Sequence, residues 1–180
     1  MLAGGQSRRM GADKAFIPVG GRRLIDCALE ALADASQRFI VGGDDPRLED
    51  AAALADAWHI SDRWPGEGPL GAVATALELA DHPVTVVLPC DLPAISPEDV
   101  AVLVQAVRES SAAAPSAAVF SDQRRHYLPL AIDTKAAALA ERLFESGQRA
   151  VASLLDDLTV IDIPAPPSAV ADVDTPEDLG

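Results

Sequence analysis

Apolar runs of strand length alternate with helical patterns through the first two-thirds of this 180-residue chain, and that alternation restricts the fold more than any other feature. Residues 22–35 place Leu24, Ile25, Ala28, Leu29 and Leu32 on one helical face. Phe39-Ile40-Val41 follows as a short buried strand ended by Gly42-Gly43. A helix over 48–57 leads to a strand at Trp58-His59-Ile60, and Gly68-Pro69-Leu70-Gly71 opens a third helix that runs to Ala80. Val84 to Leu88 is the clearest buried strand, because five consecutive residues are apolar or β-branched. Ser96 then caps a helix with Pro97 at its first position and Glu98 and Asp99 in its first turn. Such alternation calls for a parallel sheet covered by helices on both faces.

The last third is less regular. Residues 117–120 and 127–132 read as strands that pair antiparallel across the polar segment 121–126, followed by a helix over 134–145 and a shorter one near 149–155. Residues 160–163 form a strand before the proline-rich loop 164–167. The expected architecture is therefore α/β: one nucleotide-handling domain over 1–180, a three-layer Rossmann-like sandwich with a mostly parallel sheet and a small antiparallel part. One element is short. A glycine-rich loop of the kind that opens this chain hangs from the end of a buried strand, yet only Met1, Leu2 and Ala3 precede the glycines. The first strand is expected to be truncated, its remainder lying upstream.

Aromatics are 4% of the residues, so the core must be built from Ala, Val, Leu and Ile. No run of about 18 apolar residues is present to span a bilayer, and no leader pattern precedes the loop, so the expected compartment is the cytoplasm. Cys27 and Cys90 are too few for a disulfide framework or a zinc site. The net charge of −14 opposes general nucleic-acid binding. Charge is uneven, however: residues 1–23 hold Arg8, Arg9, Lys14, Arg22 and Arg23 against the single acid Asp13, a local positive field suited to a small polyanion.

The glycine loop itself, residues 1–14, sets Ser7, Arg8, Arg9 and Lys14 among Gly4, Gly5 and Gly11. Glycines let backbone N–H groups approach a ligand without a Cβ in the way, and Arg9 and Lys14 add fixed charge beside them, which makes a phosphate cradle. It is not a P-loop, because Ala12 and Asp13 separate Gly11 from Lys14, and the G-x-G-x-x-G dinucleotide spacing does not occur.

Three acids complete the candidate site. Asp91 follows the buried strand in Leu88-Pro89-Cys90-Asp91-Leu92-Pro93, at the strand end where ligands gather in open α/β sheets. A carboxylate beside a phosphate cradle suits Mg²⁺, which takes one or two carboxylates plus phosphate oxygens. Asp174, in Asp172-Val173-Asp174-Thr175-Pro176-Glu177, is the candidate second carboxylate for the metal. Asp62 lies on the loop before Gly68, where an acceptor could read the paired N–H donors of guanine, and Gly68 and Gly71 permit close ligand approach. His59, His82 and His126 are scattered without metal-ligand spacing. No nucleophile with an adjacent base stands out, which favours direct attack of one substrate on another.

These segments resemble the MobA-like nucleotidyltransferases, the family of molybdenum cofactor guanylyltransferase. The resemblance runs through LAGGQSRRMGADK, Asp62 with Gly68-Pro69-Leu70-Gly71, Pro89-Cys90-Asp91-Leu92-Pro93, Leu128-Pro129-Leu130 and Asp174-Thr175-Pro176-Glu177-Asp178-Leu179, nearly the whole chain. It implies transfer of GMP from GTP to molybdopterin with release of pyrophosphate. By similarity Leu2, Ala3 and Gly4 line the guanine and ribose, with Gly5 beside them, while Arg9 and Lys14 hold the phosphates. Asp62 contacts the guanine, and Asp91 binds Mg²⁺ and shares catalysis with Arg9 and Lys14. Gly4 resembles the guanine-specific branch, since relatives using CTP more often carry Leu-Ala-Ala-Gly. Arg124, Arg125, His126 and Tyr127 are candidates for the pterin. Transient contacts with other cofactor-biosynthesis proteins are implied, and membrane contacts are not. The chain departs from the pattern at its short first strand and at Gly42-Gly43, where some relatives place an Asn. Two readings stay open beside this one: the same chemistry on CTP or another phosphorylated acceptor, and a non-catalytic nucleotide-binding protein.

Overall fold

The computed structural model describes residues 1–3 and 14–173. A 3₁₀ turn at Lys14–Phe16 leads into a small hairpin, β1 (Pro18–Val19) and β2 (Arg22–Arg23), which is followed by α1 (Leu24–Ala31). The hairpin turns at Gly20 and Gly21, whose φ angles of 57° and 82° are the conformation a two-residue primed turn requires. The helical pattern expected over 22–35 is therefore shorter than its apolar spacing suggested. Arg22 and Arg23 pair with Val19 and Pro18 instead.

Next come β3 (Phe39–Gly42), α2 (Pro46–Leu54), β4 (Trp58–Ser61), α3 (Pro69–Leu79), β5 (Val84–Val87) and α4 (Pro97–Glu109). Local chemistry sets the helix starts. Asp45 caps α2 through the Arg47 N–H, with Pro46 at the first position, so that helix begins two residues before Leu48. Ser96 and Asp99 form a reciprocal capping box on α4. The remaining elements are β6 (Ser116–Ser121), β7 (Arg125–Asp133), α5 (Ala137–Glu145), α6 (Val151–Leu155) and β8 (Thr159–Pro164).

Residues 1–3 hold the sheet together. Leu2 bridges in parallel to Val41 beside it and to Pro89 on its other flank. The Leu2 N–H donates to Leu88 O at 2.7 Å, the Ala3 N–H to Val41 O at 2.8 Å, and the Val41 N–H to Met1 O at 2.9 Å. This three-residue strand joins the parallel pair β3–β4 to the sheet ordered β5-β7-β6-β8. β5 and β6 each run antiparallel to β7, and β8 runs parallel to β6. Every other described strand of this sheet therefore points one way and β7 alone the other, a mixed sheet of the expected kind.

Three layers follow from side-chain alternation on buried strands. Ala118 and Phe120 of β6 pack with Ile25, Leu29, Leu103 and Leu48, the face covered by α1, α2 and α4. Ala117 and Val119 pack with Leu70, Leu77, Phe144 and Leu154, the face covered by α3, α5 and α6. The lone reversed strand β7 is buried on both faces too, Ala131 on the first and Leu130 and Ile132 on the second.

Candidate active site

Strand direction decides where a ligand can bind. The carboxyl ends of residues 1–3, β3, β4 and β5 emerge on one edge, and the loops that follow them carry most of the candidate residues. Leu2 and Ala3 sit at the middle of that edge. Ala3 is buried between the strands it pairs with, so its backbone, rather than an exposed side chain, faces the edge.

Asp91 lies just past β5, anchored by the buried Leu88 before it and the buried Leu92 after it. Lys14 approaches from the 3₁₀ turn, where Ala15 is buried. Lys14 Nζ donates to Asp91 Oδ2 at 2.8 Å, with the two side chains only 13% and 24% exposed. The sequence placed this cation and this carboxylate in one site from residues 77 positions apart, and the fold brings them into contact. One hard carboxylate and one ammonium on a strand end form a donor set for a divalent cation and a phosphate respectively. In this contact each neutralises the other. The carboxyl-terminal segment joins them: the Val173 N–H donates to Asp91 O at 3.0 Å.

Asp62 follows β4, and its N–H donates to Gly42 O at 2.9 Å. Its Oδ1 accepts from the Trp64 N–H at 3.0 Å and lies 3.5 Å from the Thr75 hydroxyl, which fixes the carboxylate as the first residue of a turn. Among the described residues Oδ2 accepts no hydrogen bond, so one oxygen serves the turn and the other remains for a donor. Gly68 has a structural reason of its own. Its φ is 105°, and a Cβ there would stand 2.9 Å from the Arg149 carbonyl oxygen. Gly71 is likewise filled around, by Phe144 and Trp64 at 3.0 and 3.3 Å from a would-be Cβ. These two glycines seat α3 against α5 and its following loop.

The basic cluster read from residues 1–23 is smaller than its count. Arg22 pairs with Glu30, and Arg23 makes a bidentate pair with Asp26 at 2.7 Å for both bonds. The Arg23 guanidinium holds the Asp26 carboxyl below the usual carboxylate range. Spacing alone hid this, because both acids lie downstream on α1. Gly42 packs under the edge: a Cβ there would lie 3.0 Å from Leu48 Cδ1 and 3.4 Å from Ala3. His59 donates from Nε2 to the Gly43 carbonyl at 2.9 Å, a loop contact rather than a ligand position.

Gly4, Gly5, Arg9 and Asp174 lie outside the described residues, and so do Ser7, Arg8 and Gly11. Among the described residues no three His, Cys, Asp or Glu side chains gather around one point, and no helix is long and apolar enough to cross a membrane. Asp172, two residues before Asp174 in the same acidic run, lines a cavity with the β6–β7 hairpin.

Residues 1–160 match the MobA-like NTP transferase domain. The molybdenum cofactor guanylyltransferase of Pseudomonas syringae pv. syringae is 29% identical over 181 residues, covering 98% of this chain and 88% of that protein. A probable molybdenum cofactor guanylyltransferase of Mycobacterium avium is 32% identical over 186 residues, covering 99% and 91%. Among solved structures, molybdopterin-guanine dinucleotide biosynthesis protein A of Archaeoglobus fulgidus superposes with a TM-score of 0.81 at 24% identity, covering 99% of this chain and 92% of that one. The 2-C-methyl-D-erythritol 4-phosphate cytidylyltransferase of Thermus thermophilus shares the fold with a TM-score of 0.71 at 20% identity, covering 92% and 90%.

Proposed function

The chain belongs to the MobA-like NTP transferase family, a nucleotidyltransferase family, and on that premise we propose that it transfers GMP from GTP to molybdopterin and releases pyrophosphate. The observation that carries this reading is the Lys14–Asp91 contact at the carboxyl edge of the sheet. The names of the Pseudomonas and Mycobacterium relatives support the guanylyl donor and the molybdenum cofactor as acceptor.

In this mechanism an oxygen of the acceptor's terminal phosphate attacks the α-phosphorus of GTP. The bond between that phosphorus and its bridging oxygen to the β-phosphate breaks, and pyrophosphate leaves with the electron pair. Leu2, Ala3, Gly4 and Gly5 bind the nucleoside, and the free Oδ2 of Asp62 accepts from the guanine edge. Gly68 holds the start of α3 beside them. Lys14 leaves Asp91 for the phosphates, where with Arg9 it stabilises charge on the departing pyrophosphate. Asp91 and Asp174 would hold Mg²⁺, which supplies charge neutralisation between two anionic substrates. The remaining work is positional: the site aligns two phosphates that repel in water.

The test is to incubate the protein with molybdopterin and Mg²⁺, adding GTP, CTP, ATP or UTP in turn, and to follow pyrophosphate. Release with GTP well above the others is the expected result. Release only with CTP would replace the donor, a reading the shared fold with a cytidylyltransferase keeps in view. No release with any nucleotide would end the proposal.

A further inference from the structure

The turn that carries Asp62 is tied down on three sides. The Asp62 N–H donates to Gly42 O at 2.9 Å, and its Oδ1 accepts from the Trp64 N–H at 3.0 Å. The Arg63 guanidinium pairs with Glu78 of α3 and, at 3.0 Å, with Glu141 of α5, and it lies over the Trp64 ring at 4.3 Å from the centroid. That ring packs in turn on Phe144, with 4.3 Å between centroids. The backbone of residues 62–64 is thus fixed to β3, α3 and α5. The rotation of the Asp62 carboxylate is a separate freedom. A terminal sp³–sp² torsion has a broad well, and a single hydrogen bond to one oxygen leaves it loose.

Thr75 of α3 faces this carboxylate. It is one of two buried polar side chains among the described residues, at 2% exposure. The other, Ser116, is satisfied by the Ser110 hydroxyl at 2.6 Å. Thr75 Oγ1 lies 3.0 Å from the Gly71 carbonyl one turn back and 3.5 Å from Asp62 Oδ1, and it accepts from the Arg63 N–H at 3.5 Å. A threonine in a helix commonly donates to the carbonyl four residues before it, and that bond alone would satisfy its proton. It does not account for the placement. From 70 to 77 α3 buries Leu, Gly, Ala and Val, and the one hydroxyl among them stands against Asp62. Its single proton reaches either acceptor, and the charged one attracts it more strongly.

We propose that Thr75 is a positioning residue for base recognition: its hydroxyl, together with the Trp64 N–H, holds Asp62 Oδ1 and so aims Oδ2 at the nucleobase. The proposal rests on the reading of Asp62 as the acceptor for the guanine edge. Two donors on one oxygen set the plane of the carboxylate, which one donor does not. Oδ2 then meets an N–H that is itself fixed in direction by a planar ring. Aim matters here because an N–H···O bond weakens steeply as it bends out of line. Thr75 is placed to affect base selectivity and little else. The phosphate candidates Lys14 and Asp91 meet past the end of β5, which lies across residues 1–3 from β3 and β4.

The experiment compares GTP with inosine triphosphate, the same purine without the 2-amino group, on the wild type and on Thr75→Val, Thr75→Ser and Asp62→Ala. Calorimetry gives the affinities, pyrophosphate release the turnover, and thermal melting confirms that each variant folds. Valine keeps the branched shape and removes the hydroxyl; should it fail to fold, Thr75→Ala takes its place. The wild type and Thr75→Ser are expected to bind GTP about tenfold more tightly than inosine triphosphate. Thr75→Val and Asp62→Ala are expected to lose most of that preference through weaker GTP binding, with the inosine nucleotide held as before. In Thr75→Val the loss falls on KM for GTP more than on kcat. A wild-type preference in Thr75→Val, an equal loss for both nucleotides, or a loss in Thr75→Ser as large as in Thr75→Val would overturn the proposal and leave Thr75 a packing residue. If Asp62→Ala keeps the preference, or the wild type shows none, the guanine reading of Asp62 fails and the proposal falls with it. If the preference behaves as expected but no pyrophosphate is released, the transfer reading fails while the binding data still establish the role of Thr75.

Discussion

The middle of the carboxyl edge and its hairpin flank are built by opposite means. At the middle, Ala3 is buried, Gly42 packs against Leu48 and Ala3, Gly68 packs on the Arg149 carbonyl, and Lys14 and Asp91 contact each other while largely shielded from water. At the flank the ion pair Arg125–Asp162 is 36% and 42% exposed, and Tyr127 and Arg124 face solvent around a cavity. Close packing at the middle leaves no slack, so substitutions there are felt in both stability and chemistry. The flank has room, and its charges are screened, so substitutions there should touch binding while sparing the fold. The two ion pairs condense the contrast. In the proposed mechanism the shielded pair opens as Lys14 turns to the phosphates, whereas the exposed bidentate one can remain closed throughout.

The largest effect is expected from Asp91→Asn and Lys14→Met, each lowering kcat by about a hundredfold or more at saturating Mg²⁺ and GTP. Quenched-flow or steady-state pyrophosphate release checks this, and near-normal turnover in Asp91→Asn would remove Asp91 from the metal site. Next comes Gly68→Ala, which places a side chain at a φ of 105° and 2.9 Å from a backbone oxygen. A loss of about 1–3 kcal/mol is expected, seen as a lower Tm. An unchanged Tm would mean that the middle is looser than its contacts imply.

The smallest effect is expected at the flank. Hydrogen bonds from Arg125 hold the Asp162 carboxyl below its ordinary value. A depressed carboxylate stabilises the fold above its unfolded pKa of about 4 and loses that contribution as pH falls through the lower folded value. Asp162→Asn should therefore lower stability by no more than about 1 kcal/mol at neutral pH, because the pair is exposed. The gap between variant and wild type should close as pH is lowered below that range, which denaturant melts at several pH values would show. A gap that persists in acid would assign the effect to packing and not to charge.

Much of the architecture was legible because it rests on local chemistry. In the run Val84–Leu88 only Val87 and Leu88 are fully buried and the first three residues are half-buried, yet it forms β5 as its pattern required, and Ser96-Pro97 starts α4 by the capping rules. The β1–β2 hairpin was missed because two-residue strands leave no periodicity, although Gly20-Gly21 was its turn signal. The position of Asp91 at the carboxyl end of β5 was legible from the strand before it. Arg22 and Arg23 count toward the positive field along the sequence, but in the fold Glu30 and Asp26 on α1 pair with them. The first strand is as short as expected, but Met1, Leu2 and Ala3 still join the sheet through backbone bonds to both neighbours, and backbone bonds carry no side-chain signature.

By itself the sequence determined the layered α/β plan and the place of Asp91 at a strand end, since each depends on neighbours along the chain. The tertiary structure decided what depends on residues far apart. It put Lys14 on Asp91, gave Gly68 its partner in Arg149, and set Asp172 across a cavity from Tyr127. Those contacts arise where a sheet edge gathers loops from distant segments, and loop spacing along a chain carries no record of which loops will meet.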